Sequence, residues 1–153
     1  RYISRPELRH DIRLDLCPEV MRALNMAVDK LRPSLGAFLG PGARLTELGA
    51  VIAMPGAAEQ DTHQDVDTTE RWADAGHAAI LTTFVALQDV SEEMGPTEVF
   101  LGTHTPAIAR KVRAAWPSRS AKVGVPAPFY EEVFAWRGTH MVASCGDAYM
   151  MDT

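Results

Sequence analysis

Between Ala78 and Val90 the chain places apolar residues on both registers of an extended backbone, with Ile80, Thr82, Phe84 and Ala86 on one side and Leu81, Thr83, Val85 and Leu87 on the other. Side chains alternate across a strand, so a segment that is apolar on both registers has no face to offer to water and must be covered on both sides. A chain built around such a strand needs packed layers above and below it.

The remaining segments supply candidates for those layers. From Pro18 to Leu39, Val20, Leu24, Ala27, Leu31, Leu35 and Phe38 recur at three- and four-residue steps, which predicts one amphipathic helix. Pro18 suits its first turn, Gly40-Pro41 its stop, and Pro33 predicts a kink or break. Strands are expected over Ala43–Met54, ending at Pro55-Gly56, over Gln60–Val66, over Ala78–Val90, and briefly over Thr97–Leu101. Ser91–Pro96 reads as a turn, Pro106–Trp116 as a surface helix and Pro117–Pro128 as a loop. Glu131–Ser144 alternates loosely, and Cys145-Gly146-Asp147 turns the chain into a strand at Ala148-Tyr149-Met150-Met151.

One helix followed by many strands, with few helices between them, favours a mainly β architecture. The expected form is a jelly-roll-like, cupin-like barrel with the N-terminal helix packed outside. At 153 residues the chain is read as a single domain over residues 1–153. It begins with Arg1 rather than Met and stops at Thr153, shortly after a turn, so both ends are expected not to be natural termini and the barrel to be incomplete at its C-terminus.

Composition narrows the partners. A formal charge of -5, with no run of Lys or Arg, argues against nucleic acid. No apolar run reaches the roughly 20 residues of a membrane span. Cys17 and Cys145 stand far apart without C-x-x-C spacing, so no disulfide framework or zinc site is predicted and a cytoplasmic, reducing compartment is the default. No Ser or Cys lies in a nucleophile-elbow motif and no Gly-rich loop matches a phosphate-binding fingerprint, so no residue is assigned a covalent catalytic role.

The chemistry-bearing feature is His63-Gln64-Asp65. On an extended backbone an imidazole and a carboxylate two residues apart point to the same side, and together they supply two of the three ligands of the facial triad of non-haem iron oxygenases. The competing reading is a surface His beside an Asp in a polar stretch that also holds Glu59, Asp61 and Asp67. A third ligand could come from His104 or His140, which would suit a zinc-type hydrolase or isomerase with an open water position. His10, His77 and His140 have solvated or structural readings, and His104 could close the turn in Gly102-Thr103-His104. Met21, Met26, Met150, Met151, Trp72, Trp116 and Trp136 read as packing groups.

The sequence from His63-Gln64-Asp65 through Phe84-Val85-Ala86-Leu87-Gln88-Asp89-Val90 to Met94-Gly95-Pro96-Thr97 and Gly102-Thr103-His104 resembles the phytanoyl-CoA dioxygenase family of iron(II)- and 2-oxoglutarate-dependent oxygenases. The likeness covers about Leu45 to Met151. It implies a double-stranded β-helix, with His63 and Asp65 as Fe(II) ligands and 2-oxoglutarate near Phe84, Thr97 and Gln64. Phe84 would be a wall of the pocket, Thr97 a hydrogen-bond donor to a carboxylate, and His104 a structural neighbour. Leu101 stands where a proline often precedes the Gly-Thr-His element, a difference in a loop rather than at the metal.

In that family the Gly-Asp turn leads into a strand, then a distal histidine and an arginine that pairs with 2-oxoglutarate. Gly146-Asp147 is followed by six residues, so both groups are expected downstream of Thr153 and the 153 residues are expected to be inactive by themselves. The implied reaction is hydroxylation of a small organic substrate by O2, with succinate and CO2 as co-products. The alternatives are a cupin-type metal-dependent hydrolase or isomerase, and a non-catalytic binding module of the same fold. Substrate and oligomeric state are left open.

Overall fold

The computed structural model describes residues 2–4, 8–60, 63, 65, 80–104, 107, 108, 111 and 138–152. The chain divides into two compact units, Arg1–Ala58 and Glu59–Thr153. Its architecture is mixed: one long helix, with short antiparallel strands in small sheets. Among the described residues no barrel closes, so the expected mainly β jelly roll is met only in its antiparallel pairing.

In the first unit, β1 (Tyr2–Ser4), β2 (Arg9–Arg13) and β3 (Gly49–Ala53) form an antiparallel sheet in the order β1-β2-β3. β2 and β3 pair from Arg9 opposite Ala53 to Arg13 opposite Gly49. The pairing is extended at both ends by Met54 N–H to Leu8 O (2.8 Å) and Leu14 N–H to Leu48 O (3.1 Å). Leu8 enters this pairing with φ 63°, a left-handed conformation that costs a branched residue about 1–2 kcal/mol. Gly49 permits the close approach at the other end, since a Cβ there would stand 3.2 Å from the Ile12 carbonyl oxygen. Arg13 and Glu47 add an exposed ion pair at 2.8 Å.

Between β2 and β3 runs α1, Pro18–Leu39, with proline in its first turn as expected. It continues unbroken through Pro33. Proline lacks a donor and crowds the carbonyl four residues before it, yet the helix runs on around that gap from Pro18 to Leu39. Gly40 ends the helix at φ 71°, donating its N–H to Gly36 O. Val20, Leu24, Ala27, Leu31 and Leu35 are half-buried along one stripe, as their spacing predicts. Phe38 departs from that stripe: it is 65% exposed, and Leu39 is half-buried in its place. Leu35 and Leu39 are four apart, which keeps them in line on a helix of 3.6 residues per turn.

In the second unit, β4 (Leu81–Val85) pairs antiparallel with β7 (Ala148–Asp152), and β5 (Glu98–Val99) with β6 (Thr139–His140). These two small sheets are stations on one antiparallel track. Leu81 lies opposite Asp152 and Val85 opposite Ala148; Ala86 N–H then bonds Asp147 O, and Val90 bridges Ala143. Each of these pairs keeps the same register. After Val90 the first strand makes an excursion through Ser91–Pro96, including a 3-10 turn at Glu92–Met94. Pairing resumes where Met141 N–H donates to Thr97 O (2.9 Å), before Glu98 meets His140. β4 is half-buried on both registers from Leu81 to Phe84, in keeping with its two-sided apolar pattern.

The tight turn Ser144–Asp147 holds the middle of the track. Asp147 accepts the Ser144 N–H with its carboxylate (2.9 Å) and returns its own N–H to Ser144 O (2.9 Å). Asp89, from the opposite side, accepts the Cys145 N–H at 2.7 Å. Gly146 supplies φ 91° and donates to Ala86 O (2.8 Å). On β4 and β7 the opposed rings of Phe84 and Tyr149 stack at a centroid distance of 5.1 Å and an angle of 18°.

Several expected segments differ in extent. The strand expected over Ala43–Met54 is confined to Gly49–Ala53. That expected over Gln60–Val66 is absent at its described positions: Gln60 and His63 are irregular and Asp65 lies in a bend. Apart from Val66 the segment is polar, with carboxylates at Asp61 and Asp65, and so has no continuous apolar face to bury in a sheet. Ala107, Ile108 and Lys111 are helical, and the rest of the helix expected over Pro106–Trp116 lies outside the described residues, as do the Pro117–Pro128 loop, Trp72 and Trp136.

Two predictions follow the turn and the stack. Gly146→Ala is expected to lower unfolding stability by about 1–2 kcal/mol, because alanine at φ 91° is strained. Gly42→Ala, where a Cβ meets open space, stays within about 0.5 kcal/mol. Urea unfolding of both variants checks this, and equal shifts would refute the strain argument. A double-mutant cycle on Phe84 and Tyr149 to leucine is expected to return a coupling of about 0.5–1.5 kcal/mol; additive losses would mean the rings do not support each other.

Candidate functional site

His63 and Asp65 come together without a strand. Two residues apart across a bend, they place His63 Nε2 and Asp65 Oδ1 3.5 Å from each other, with side chains 46% and 32% exposed. The pairing is local, and no long-range pairing is needed to bring the two groups within reach.

The donor set fits a divalent transition ion. With bonds of about 2.1 Å to nitrogen and oxygen, ligands at right angles stand about 3.0 Å apart, and a 3.5 Å separation corresponds to an angle of about 110° at the ion. Closing the difference takes about half an ångström, within the rotation of two partly exposed side chains. Imidazole nitrogen beside carboxylate oxygen is the ligand chemistry of non-haem iron. Among the described residues no group of three or more His, Cys, Asp and Glu is arranged to hold a metal.

The other predicted positions sit on the track of the second unit. Phe84 lies in β4, half-buried, with one face of its ring covered by Tyr149. Thr97 is exposed just before β5, and its carbonyl accepts the Met141 N–H. Gln64 lies outside the described residues, as does His77. His104 is exposed at the end of a turn in which Thr103 Oγ1 donates to Phe100 O (2.7 Å), while His10 is half-buried in β2 opposite Ile52.

His140 has a partner that the sequence did not suggest. Its Nδ1 stands 2.5 Å from Glu92 Oε2. The hydrogen bond to Glu92, reinforced by that carboxylate's charge and by Glu98, raises the imidazole above its ordinary value of 6.5. Because the folded state favours the protonated ring, the contact stabilises below pH 6.5 and is lost as pH rises through the raised value. Glu92 and His140 are 48 positions apart, and neither has a local pattern that would have found the other. Cys145 is likewise engaged, with its Sγ 3.4 Å from Leu87 O.

Compared with known proteins, the chain matches no family model, no curated protein and no solved structure.

Proposed function

We propose that the chain belongs to an iron(II)- and 2-oxoglutarate-dependent dioxygenase of the phytanoyl-CoA dioxygenase type, acting on a small organic substrate. The supporting observation is the approach of His63 Nε2 to Asp65 Oδ1 at 3.5 Å, a pair with the donor atoms of such a site and about half an ångström wider than the separation of ligands at right angles. The proposal includes the finer architecture, a double-stranded β-helix, with which the antiparallel β4–β7 and β5–β6 pairs are compatible.

In this reading His63 and Asp65 hold iron. When bound, iron and 2-oxoglutarate together supply the oxidation of a substrate C–H bond by O2, releasing succinate and CO2. The chain's own residues bind and orient. His63 must give up its proton to present a lone pair, and Asp65 must be ionised, so affinity rises with pH. By the same resemblance Phe84 would wall the co-substrate pocket and exclude water, Thr97 would offer a hydroxyl to a carboxylate, and Gln64, which lies outside the described residues, would serve the same pocket.

Anaerobic calorimetric titration of the 153-residue chain with Fe(II) tests the ligand pair. Weak binding is expected, reduced at least about tenfold, or 1.4 kcal/mol, in both H63A and D65A; equal affinity in wild type and both variants would end the proposal. Adding 2-oxoglutarate and O2 tests whether this ligand pair suffices for turnover. Little or no succinate is expected, because no third ligand stands with His63 and Asp65 among the described residues; stoichiometric turnover would show that the two suffice or that a further ligand is supplied from elsewhere in the 153 residues. Oxygen-independent turnover of substrate would favour the hydrolase alternative instead.

A further inference from the structure

We propose that Glu92 and His140 form a proton-dependent clasp that fastens the Ser91–Pro96 excursion onto β6. The geometry points to this through the interruption of the track. Pairing is continuous from Leu81–Asp152 to Val90–Ala143, and it resumes with a different register at Thr97–Met141. The intervening residues are held by bonds of their own turn, Met94 N–H to Ser91 O (3.1 Å) and Gly95 N–H to Glu92 O (3.2 Å), neither of which reaches the opposite strand. Glu92 does reach it. Its carboxylate meets the ring of His140, the residue that pairs with Glu98 directly after the excursion.

The charges around that ring have one sign. Among the described residues, the groups acting on His140 are Glu92 from the 3-10 turn and Glu98 from β5, both carboxylates. An imidazolium there is attracted from two sides and donates to Glu92, whereas a neutral ring keeps at most an ordinary hydrogen bond. Both side chains are exposed, so the ring exchanges protons with solvent without any opening of the fold. Raising the pH through the His140 titration therefore loosens the excursion while leaving the β4–β7 pairing intact. The device involves neither iron nor co-substrate, and it stands apart from the dioxygenase reading.

The test is NMR of the 153-residue chain. In wild type the His140 ring is expected to titrate above 6.5, with the midpoint moving down in E92Q and less far down in E98Q. The Met94 and Gly95 amides, corrected for intrinsic exchange at each pH, are expected to lose protection about two- to fivefold across that titration, the range an exposed ion pair supports. The loss should vanish in E92Q and H140Q, with the β4 and β7 amide shifts unchanged to show that both variants remain folded. A His140 midpoint that E92Q leaves in place, or the same pH-dependent loss in the variants, would overturn the clasp.

Discussion

The second unit depends on one antiparallel track, in which residues 139–152 run back along residues 81–99. Among the described residues each side of this track has one strand partner, and such a two-stranded pairing is marginal in water by itself. Here it is reinforced at its turn. At the Ser144–Asp147 turn, two carboxylates from opposite strands accept backbone N–H groups that the pairing leaves over. Both donors lie in an exposed turn where water could replace these bonds, so Asp89 and Asp147 contribute chiefly by fixing the turn's geometry, at the modest net strength of hydrogen bonds to charged groups. Further along, Phe84 and Tyr149 join the two strands through ring contact. Among the described residues none is fully buried, and these cross-strand contacts are what join the two sides of the track there.

That economy explains which parts were legible in the sequence. The helix was readable because its stripe repeats locally: Val20, Leu24, Ala27 and Leu31 recur every turn, and proline and glycine mark the ends. β4 and β7 were readable for the same reason, since Phe84 and Tyr149 sit in runs of apolar residues bounded by turn signals. β2 was not. Its sequence, Arg9-His10-Asp11-Ile12-Arg13, has a single aliphatic residue, and what makes it a strand is pairing with the apolar β3 about forty positions away. The excursion at Ser91–Pro96 was readable as a turn, but its attachment to His140 was not, because complementarity between distant side chains leaves no periodic trace.

The candidate site shows the opposite balance. The types of residue, imidazole and carboxylate, were evident from His63-Gln64-Asp65, but the backbone that carries them differs from the expected strand. A largely polar stretch with aspartates at 61 and 65 has little to gain from sheet burial, and its described residues are irregular or bent. Proximity survives this change because two residues of separation allow a bend to bring side chains together as readily as alternation does. A site formed this way is tolerant of backbone detail but weakly preorganised. Ligand binding would have to supply the ordering that a strand would have provided in advance.

The acidic residues of the second unit separate structural from chemical roles. Asp89, Asp147 and Glu92 each accept from a donor, and for Asp89 and Glu92 that donor lies roughly fifty positions away. Such contacts close long loops, so their residue types are explained by the fold. The Asp65 contact with His63 spans two positions and closes almost no loop. An ion pair between partly exposed groups is worth at most about 1 kcal/mol, and one this local constrains the folded chain scarcely more than the unfolded one. Stability therefore gives little reason for an imidazole and a carboxylate at these two positions. What they offer together is an imidazole nitrogen and a carboxylate oxygen 3.5 Å apart, and the proposed function rests on that pair rather than on the better-anchored carboxylates of the track.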